Sequence, residues 1–186
     1  MKLWLARHAQ PCIASGVCYG ALDMPAEVSA TRCAAEALAE VLPQALPVRV
    51  SPLQRCEQLA QVLRGLRPDL FFKTDGRLAE MNFGVWEGVA WANVPRAAVD
   101  AWMADFGNCR FGGQESANRV LQRVASAWSD SLASSRPHGG HAVWITHAGV
   151  IRAASLVAQG VLRVDDAAQW PHHAPAYGQW CQLGGG

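Results

Sequence analysis

Two apolar runs constrain this chain more than any other feature. Leu3 to Ala6 and Ala142 to Thr146 are almost free of polar side chains, and each stops abruptly at basic or imidazole residues, Arg7-His8 in the first case and His147 in the second. A strand that is apolar on both faces must be covered on both faces, as in the middle of a largely parallel sheet flanked by helices. The intervening sequence supplies those helices. Residues 27–42 are alanine-rich, with Ser29 as the expected N-cap and Pro43 as a stop. Val48 to Val50 reads as a second strand, and Pro52 opens a helix running to about Gly65. Phe71 to Thr74 is a third strand, residues 115–135 form the longest helical stretch, and a further helix runs from about Gly149 to Gln159. Strand and helix therefore alternate, and the expected class is α/β with a mostly parallel sheet.

The chain has 186 residues, enough for one domain with a sizeable core, so residues 1–186 are expected to form a single unit. With 51% hydrophobic and 17% charged residues it is a folding composition and not a disordered one. A net charge of +1 gives no field that would point to nucleic acid or an acidic membrane surface. No apolar stretch reaches the roughly 20 residues that span a bilayer, and the first residues lack a secretory pattern, so the expected location is the cytoplasm. The six cysteines show no C-x-x-C spacing and read as free thiols, with no metal and no cofactor expected. A loop-rich excursion at about 75–113 carries Phe83, Trp86, Trp91 and Trp102, the composition of a lid or binding loop. The same aromatic loop serves a homodimer as readily as a substrate, and the oligomeric state stays open. The Gly184-Gly185-Gly186 tail is expected to fray.

In open α/β sheets, ligands bind beyond the carboxyl ends of the strands. Arg7 and His8 leave the first strand there, Arg55 follows the second, Glu80 the third, and His147 the fourth. Taken singly, each is most simply a surface or hydrogen-bonded residue. Together, two arginines, two histidines and one carboxylate form a consistent set for phosphoryl transfer. Guanidinium forks match phosphate oxygens and stay charged. A neutral imidazole near pH 7 is a nucleophile able to form a phosphohistidine, and a carboxyl group can protonate the departing alkoxide. Backbone N–H groups at Ala148, where a helix begins, would add anion donors.

RHAQ at Arg7 to Gln10, SPLQRCEQLA at Ser51 to Ala60, LAEMNFGVWEG at Leu78 to Gly88, GGQES at Gly112 to Ser116 and THAG at Thr146 to Gly149 occur in one order along the chain. This series resembles the histidine phosphatase superfamily, the phosphoglycerate-mutase-like enzymes. The resemblance implies a three-layer α/β sandwich with helices on both faces of a mostly parallel sheet. It also implies that His8 is phosphorylated, that Arg7, Arg55 and His147 form the phosphate pocket, and that Glu80 donates a proton. The chain departs from the common R-H-G-E/Q-T pattern with Ala9 and Pro11, has Leu59 where threonine is frequent, and inserts Gln114 before Glu115.

A narrower likeness lies in RHAQPCIASGVCYGALDMPAE, where the QP step, the G-V-C-Y-G run and L-D-x-P resemble the α-ribazole-5′-phosphate phosphatases of cobalamin nucleotide loop assembly. The implied partner is a small-molecule phosphate monoester with an aromatic base, for which Tyr19, Trp86 and Trp91 offer stacking surfaces. Gln10 is placed to reach a phosphate oxygen. Gly20 is read as a turn residue using φ values that other residues avoid, and Cys18 lacks a basic partner that would make it a reactive thiol. A broad-specificity phosphatase, a phosphoglycerate mutase and a non-catalytic phosphate-binding module remain the alternatives.

Overall fold

The computed structural model describes residues 2–184. The last two positions of the glycine tail lie outside the described residues. Five strands form one sheet in the order β3-β2-β4-β1-β5: β1 is Lys2–Arg7, β2 Pro47–Val50, β3 Phe71–Thr74, β4 His141–Thr146 and β5 Trp180–Leu183. β1, β2, β3 and β4 are parallel to their neighbours, and β5 runs antiparallel along β1. The sheet is thus mostly parallel, with one antiparallel edge.

Alternation along the two apolar strands divides the core. Leu3 and Leu5 of β1, with Ala142 and Trp144 of β4, face one side, where they meet helices α4 (Ala117–Ser135) and α5 (Ala148–Ala158). Trp4, Ala6, Val143 and Ile145 face the other, against α1 (Val28–Val41) and α2 (Gln54–Leu66). Both faces are dry because successive side chains of a strand point to opposite sides and all of them are apolar. Trp144, fully buried, satisfies its indole N–H on Ser131 Oγ at 2.9 Å. Among the described residues no helix is long and apolar enough to cross a membrane.

Three sequence expectations shift. Ser29 is not an N-cap: α1 begins at Val28, with Glu27 in the cap position and no side-chain cap bond. The start is set by tertiary contacts, since Ala26 bridges Pro11 and the Glu27 N–H donates to Gln10 O at 2.8 Å. The helix after Pro52 starts at Gln54. The excursion at 75–113 is only partly loop, because Arg96–Ala104 forms a helix, α3. Its aromatic residues are organised around the buried Phe111, whose ring lies 4.4 Å from Trp102, 5.8 Å from Trp91, 6.0 Å from Phe83 and 6.1 Å from Trp86. Aromatic rings at such distances stabilise one another beyond the area they bury. Trp91 nonetheless stays 40% exposed.

Candidate active site

The register of the sheet puts the end of β1 beside the end of β4: Arg7 pairs with Thr146, and the His8 N–H continues the ladder to Thr146 O at 3.1 Å. His8 and His147 therefore leave adjacent parallel strands side by side, their ring centroids 5.0 Å apart. His8 is 2% exposed, and its Nδ1 lies 2.7 Å from Ala9 O. A carbonyl only accepts, so Nδ1 carries the proton and Nε2 keeps its lone pair. Burial, helped by the charges of Arg55 and Arg7 and opposed by that carbonyl bond, pulls the His8 pKa from 6.5 down to about 3. His8 is thus neutral at physiological pH, the form in which an imidazole attacks phosphorus.

His147 is fully buried and is held well below the ordinary histidine pKa by burial first, then by Arg55 and His8. Its Nε2 is 2.7 Å from Ser51 Oγ. Ser51 lies at the end of β2 within a block already singled out, but its role became visible only once β2 and β4 were paired. Arg55, on the first turn of α2, is fully buried, and among the described residues no carboxylate pairs with it. It donates from Nη1 to Leu22 O at 2.9 Å and from Nη2 to Gly20 O, while its Nε has no partner. Arg7 donates to Pro175 O at 2.9 Å, its guanidinium carbon lies 3.8 Å from the centroid of Tyr177, and its buried Nε is also unpartnered. Two guanidinium groups with orphan N–H donors beside a neutral imidazole form a receptor for an anion bearing several oxygens.

Glu80 follows β3 and reaches the start of α5. Its Oε2 accepts the Gly149 N–H at 2.9 Å and its Oε1 the Met81 N–H at 3.0 Å. A carboxylate suits the positive end of a helix. A Cβ at position 149 would crowd Glu80 Oε1, the tip of a side chain, so glycine lets the carboxylate rest close against the helix start. The segment carrying Glu80 is fixed by Arg123, which donates to Arg77 O and Ala79 O at 2.6 Å each and pairs with Glu115 at 2.7 Å.

A cavity of about 310 Å³ opens from these groups. Arg7, His8, Tyr19, Glu80 and Ala148 line it, with Phe83, Trp102, Phe106, Trp170 and Arg152 on the far side. Arg55 and His147 lie behind that surface, wholly buried. Gln10 is exposed and lines an adjoining recess with Tyr19 and Tyr177 instead. Gly20 does not line the cavity, and its φ is not in the left-handed region. It is glycine because a Cβ would overlap Met81 O, a clash with backbone. Trp86 and Trp91 do not reach the cavity; Trp102 and Phe83 do. The Tyr19 hydroxyl meets that of Tyr177 at 2.6 Å. Cys18 is buried, and its thiol is pushed up to about 12 by burial and by Glu87, so it is inert.

Sequence reasoning missed Tyr177, Trp170 and Arg152, which come from the C-terminal segment and α5, and also Glu87. The Glu87 carboxylate gathers the N–H groups of Gly20, Ala21, Leu22 and Phe83 at 2.8–3.0 Å. Gly20 and Leu22 are the residues whose carbonyls hold Arg55, so Glu87 shapes the Arg55 surroundings from a distance. Among the described residues no group of three or more His, Cys, Asp or Glu side chains is arranged to hold a metal ion.

A mycobacterial glucosyl-3-phosphoglycerate phosphatase in complex with VO3 superimposes with a TM-score of 0.82 at 26% identity, over 100% of this chain and 91% of its own. The protein TTHB049 of Thermus thermophilus gives 0.70 at 26% identity, over 98% and 92%. An Escherichia coli K-12 protein, provisionally an alpha-ribazole-5′-P phosphatase, gives 0.78 at 22% identity, over 98% and 89%, and at that identity speaks for the fold alone. No curated protein matches the chain. The family model of the histidine phosphatase superfamily (branch 1) matches residues 3–182, a span that takes in both histidines, both arginines and the carboxylate, and the chain belongs to that superfamily.

Proposed function

We propose that this phosphatase hydrolyses a phosphate monoester through a phosphohistidine at His8. The observation that carries the reading is the state of His8: neutral, tautomerically set by Ala9 O, and flanked by two arginines with unpartnered Nε groups. In the first step the His8 Nε2 lone pair forms the N–P bond as the P–O bond to the alcohol breaks, and Glu80 gives the leaving oxygen a proton. In the second, water attacks the phosphohistidine, Glu80 takes up the water's proton, and the N–P electrons return to His8. Arg7 and Arg55 neutralise charge on the equatorial oxygens, with His147, braced by Ser51, beside them. The α5 start at Ala148 lies against the same cavity. Gln10 serves at most the rim, Tyr19 shapes the pocket wall, and Gly20 acts through the carbonyl that holds Arg55.

The preferred substrate is α-ribazole-5′-phosphate. The stretch from Arg7 to Glu27 favours it, and so does the aromatic wall of Phe83, Trp102, Phe106 and Trp170, suited to a planar base. A second reading, a phosphorylated sugar acid, draws on the 26% identity and full coverage by the mycobacterial enzyme named for glucosyl-3-phosphoglycerate. Steady-state phosphate release from both compounds, from 3-phosphoglycerate and from p-nitrophenyl phosphate separates them, with His8→Ala as control. A kcat/KM advantage for α-ribazole-5′-phosphate of about a hundredfold or more supports the first reading. Comparable slow rates on all four discard it. Transfer of label from 2,3-bisphosphoglycerate to a monophosphoglycerate would identify a mutase.

A further inference from the structure

We infer that Arg152 is the residue that reads the leaving alcohol, donating a hydrogen bond from Nη1 to a neutral hydroxyl of that alcohol while Trp102, Phe106 and Trp170 enclose its planar part. The inference rests on the phosphatase reading and adds to it the chemistry of the alcohol. Arg152 lies on α5, three and four residues beyond Gly149 and Ala148, so it shares the helix face that begins at the Glu80 carboxylate. It lines the same cavity as His8 and Glu80, on the aromatic side.

Its three nitrogens are in three different states. Nη2 donates to His172 O at 3.1 Å, which anchors the head group to the C-terminal segment that also contributes Trp170. Nε is buried with no acceptor. Nη1 bonds to no described residue and is not among the atoms sealed from solvent. Among the described residues no carboxylate lies within 4.0 Å of this guanidinium, although eight arginine–carboxylate pairs form elsewhere in the chain. A guanidinium held in place over an apolar cavity, with one N–H edge uncommitted, has its strongest partner still to come.

One physical argument favours a hydroxyl over a carboxylate. Side-on bidentate recognition of a carboxylate needs parallel N–H bonds from Nε and Nη2. Here Nε is buried and Nη2 already donates one N–H to His172 O, so that edge is closed and Nη1 is the nitrogen left open to the alcohol.

The test is a cycle between side chain and substrate. A benzimidazole riboside 5′-phosphate and its 2′,3′-dideoxy analogue are compared in the wild type, in Arg152→Gln and in Arg152→Lys. In the wild type, loss of the hydroxyls is expected to lower kcat/KM by about tenfold or more, carried mainly by KM. In Arg152→Gln that ratio is expected to shrink to within about threefold. An unchanged ratio overturns the inference, because Arg152 would then act equally on every substrate. A heavier loss on 3-phosphoglycerate than on the riboside phosphate also overturns it, since the reader would be reading a carboxylate. Should Arg152→Gln fail to fold by its thermal transition, Arg152→Met, which keeps most of the stem and removes every donor, supplies the ratio, while Arg152→Lys, which keeps a donor, is expected to retain part of it. Turnover of p-nitrophenyl phosphate that depends on His8 tests the phosphatase reading separately. If that turnover is absent, Kd values for the two riboside phosphates measured by calorimetry on His8→Ala, with and without Arg152→Gln, still decide the role of Arg152.

Discussion

The two ends of the cavity are built in opposite ways. At the end proposed to hold phosphate, His8, His147, Arg7 and Arg55 leave strand ends or the first turn of a helix; Arg7 is half-buried and the other three are buried, and they are held by backbone carbonyls and Ser51. At the other end, Phe83, Trp102, Phe106 and Trp170 come from the excursion and the C-terminal segment, and they pack on one another. The first end gains its geometry from sheet register, which permits no partial displacement. The second gains it from ring packing, which tolerates substitution. Chemistry is placed where the fold is least adjustable, and selectivity where it is most adjustable.

The sharpest way to break this comparison is His8→Ala, expected to lower kcat by about 10⁴-fold or more on every phosphate ester while the far-UV spectrum is retained. Residual activity above that level on any ester would put the nucleophile elsewhere. Arg55→Lys comes next. Lysine cannot satisfy Gly20 O and Leu22 O while also reaching phosphate, and a loss of about 10²- to 10³-fold in kcat is expected on all substrates alike. Glu80→Gln is expected to slow alkyl phosphates by about 10²-fold and p-nitrophenyl phosphate by much less, since its leaving group needs little protonation. Equal losses on the two would remove the acid role. Trp102→Ala belongs to the adjustable end: its effect is expected to be about tenfold, confined to the preference for an aromatic alcohol over a simple one.

A separate effect is one of pH on stability. His8 and His147 have folded-state pKa values below the unfolded 6.5, so the unfolded chain binds more protons once the pH falls under 6.5. Their contribution is therefore fully present above pH 6.5 and is lost progressively as the pH falls, for His8 down to about pH 3, at up to about 1.4 kcal/mol per pH unit for each group. Urea unfolding of the wild type between pH 7 and pH 4 is expected to show this slope, and His8→Asn is expected to reduce it. An identical slope in the two proteins would mean that other groups govern acid sensitivity.

Much of the phosphate end was legible from residue order, because a central parallel strand has one recognisable pattern and its carboxyl end is where polar residues must appear. Arg7, His8 and His147 follow from that pattern directly. Arg55 and Glu80 needed the recurring blocks around them as well. The other end was not legible. The aromatic residues of the excursion were evident in composition, but Trp86 and Trp91, facing away from the cavity, look no different in sequence from Phe83 and Trp102, which line it. Ring orientation in an irregular segment has no period to read. Gly20 shows the same limit, since its need for glycine arises from Met81 O, 61 residues away in sequence.

By itself the sequence determined the class of fold and the residue types proposed to handle phosphate, because both depend on local patterns of two or three residues repeated at strand ends. Only the tertiary structure decided which nitrogen of His8 is free, that Glu80 rests against the Gly149 N–H, and that Trp170 and Arg152 line one cavity with His8 while Tyr177 packs on Arg7. Those outcomes depend on contacts between segments far apart in the chain, and such contacts are set by the packing of the whole molecule, which no short stretch of residues encodes.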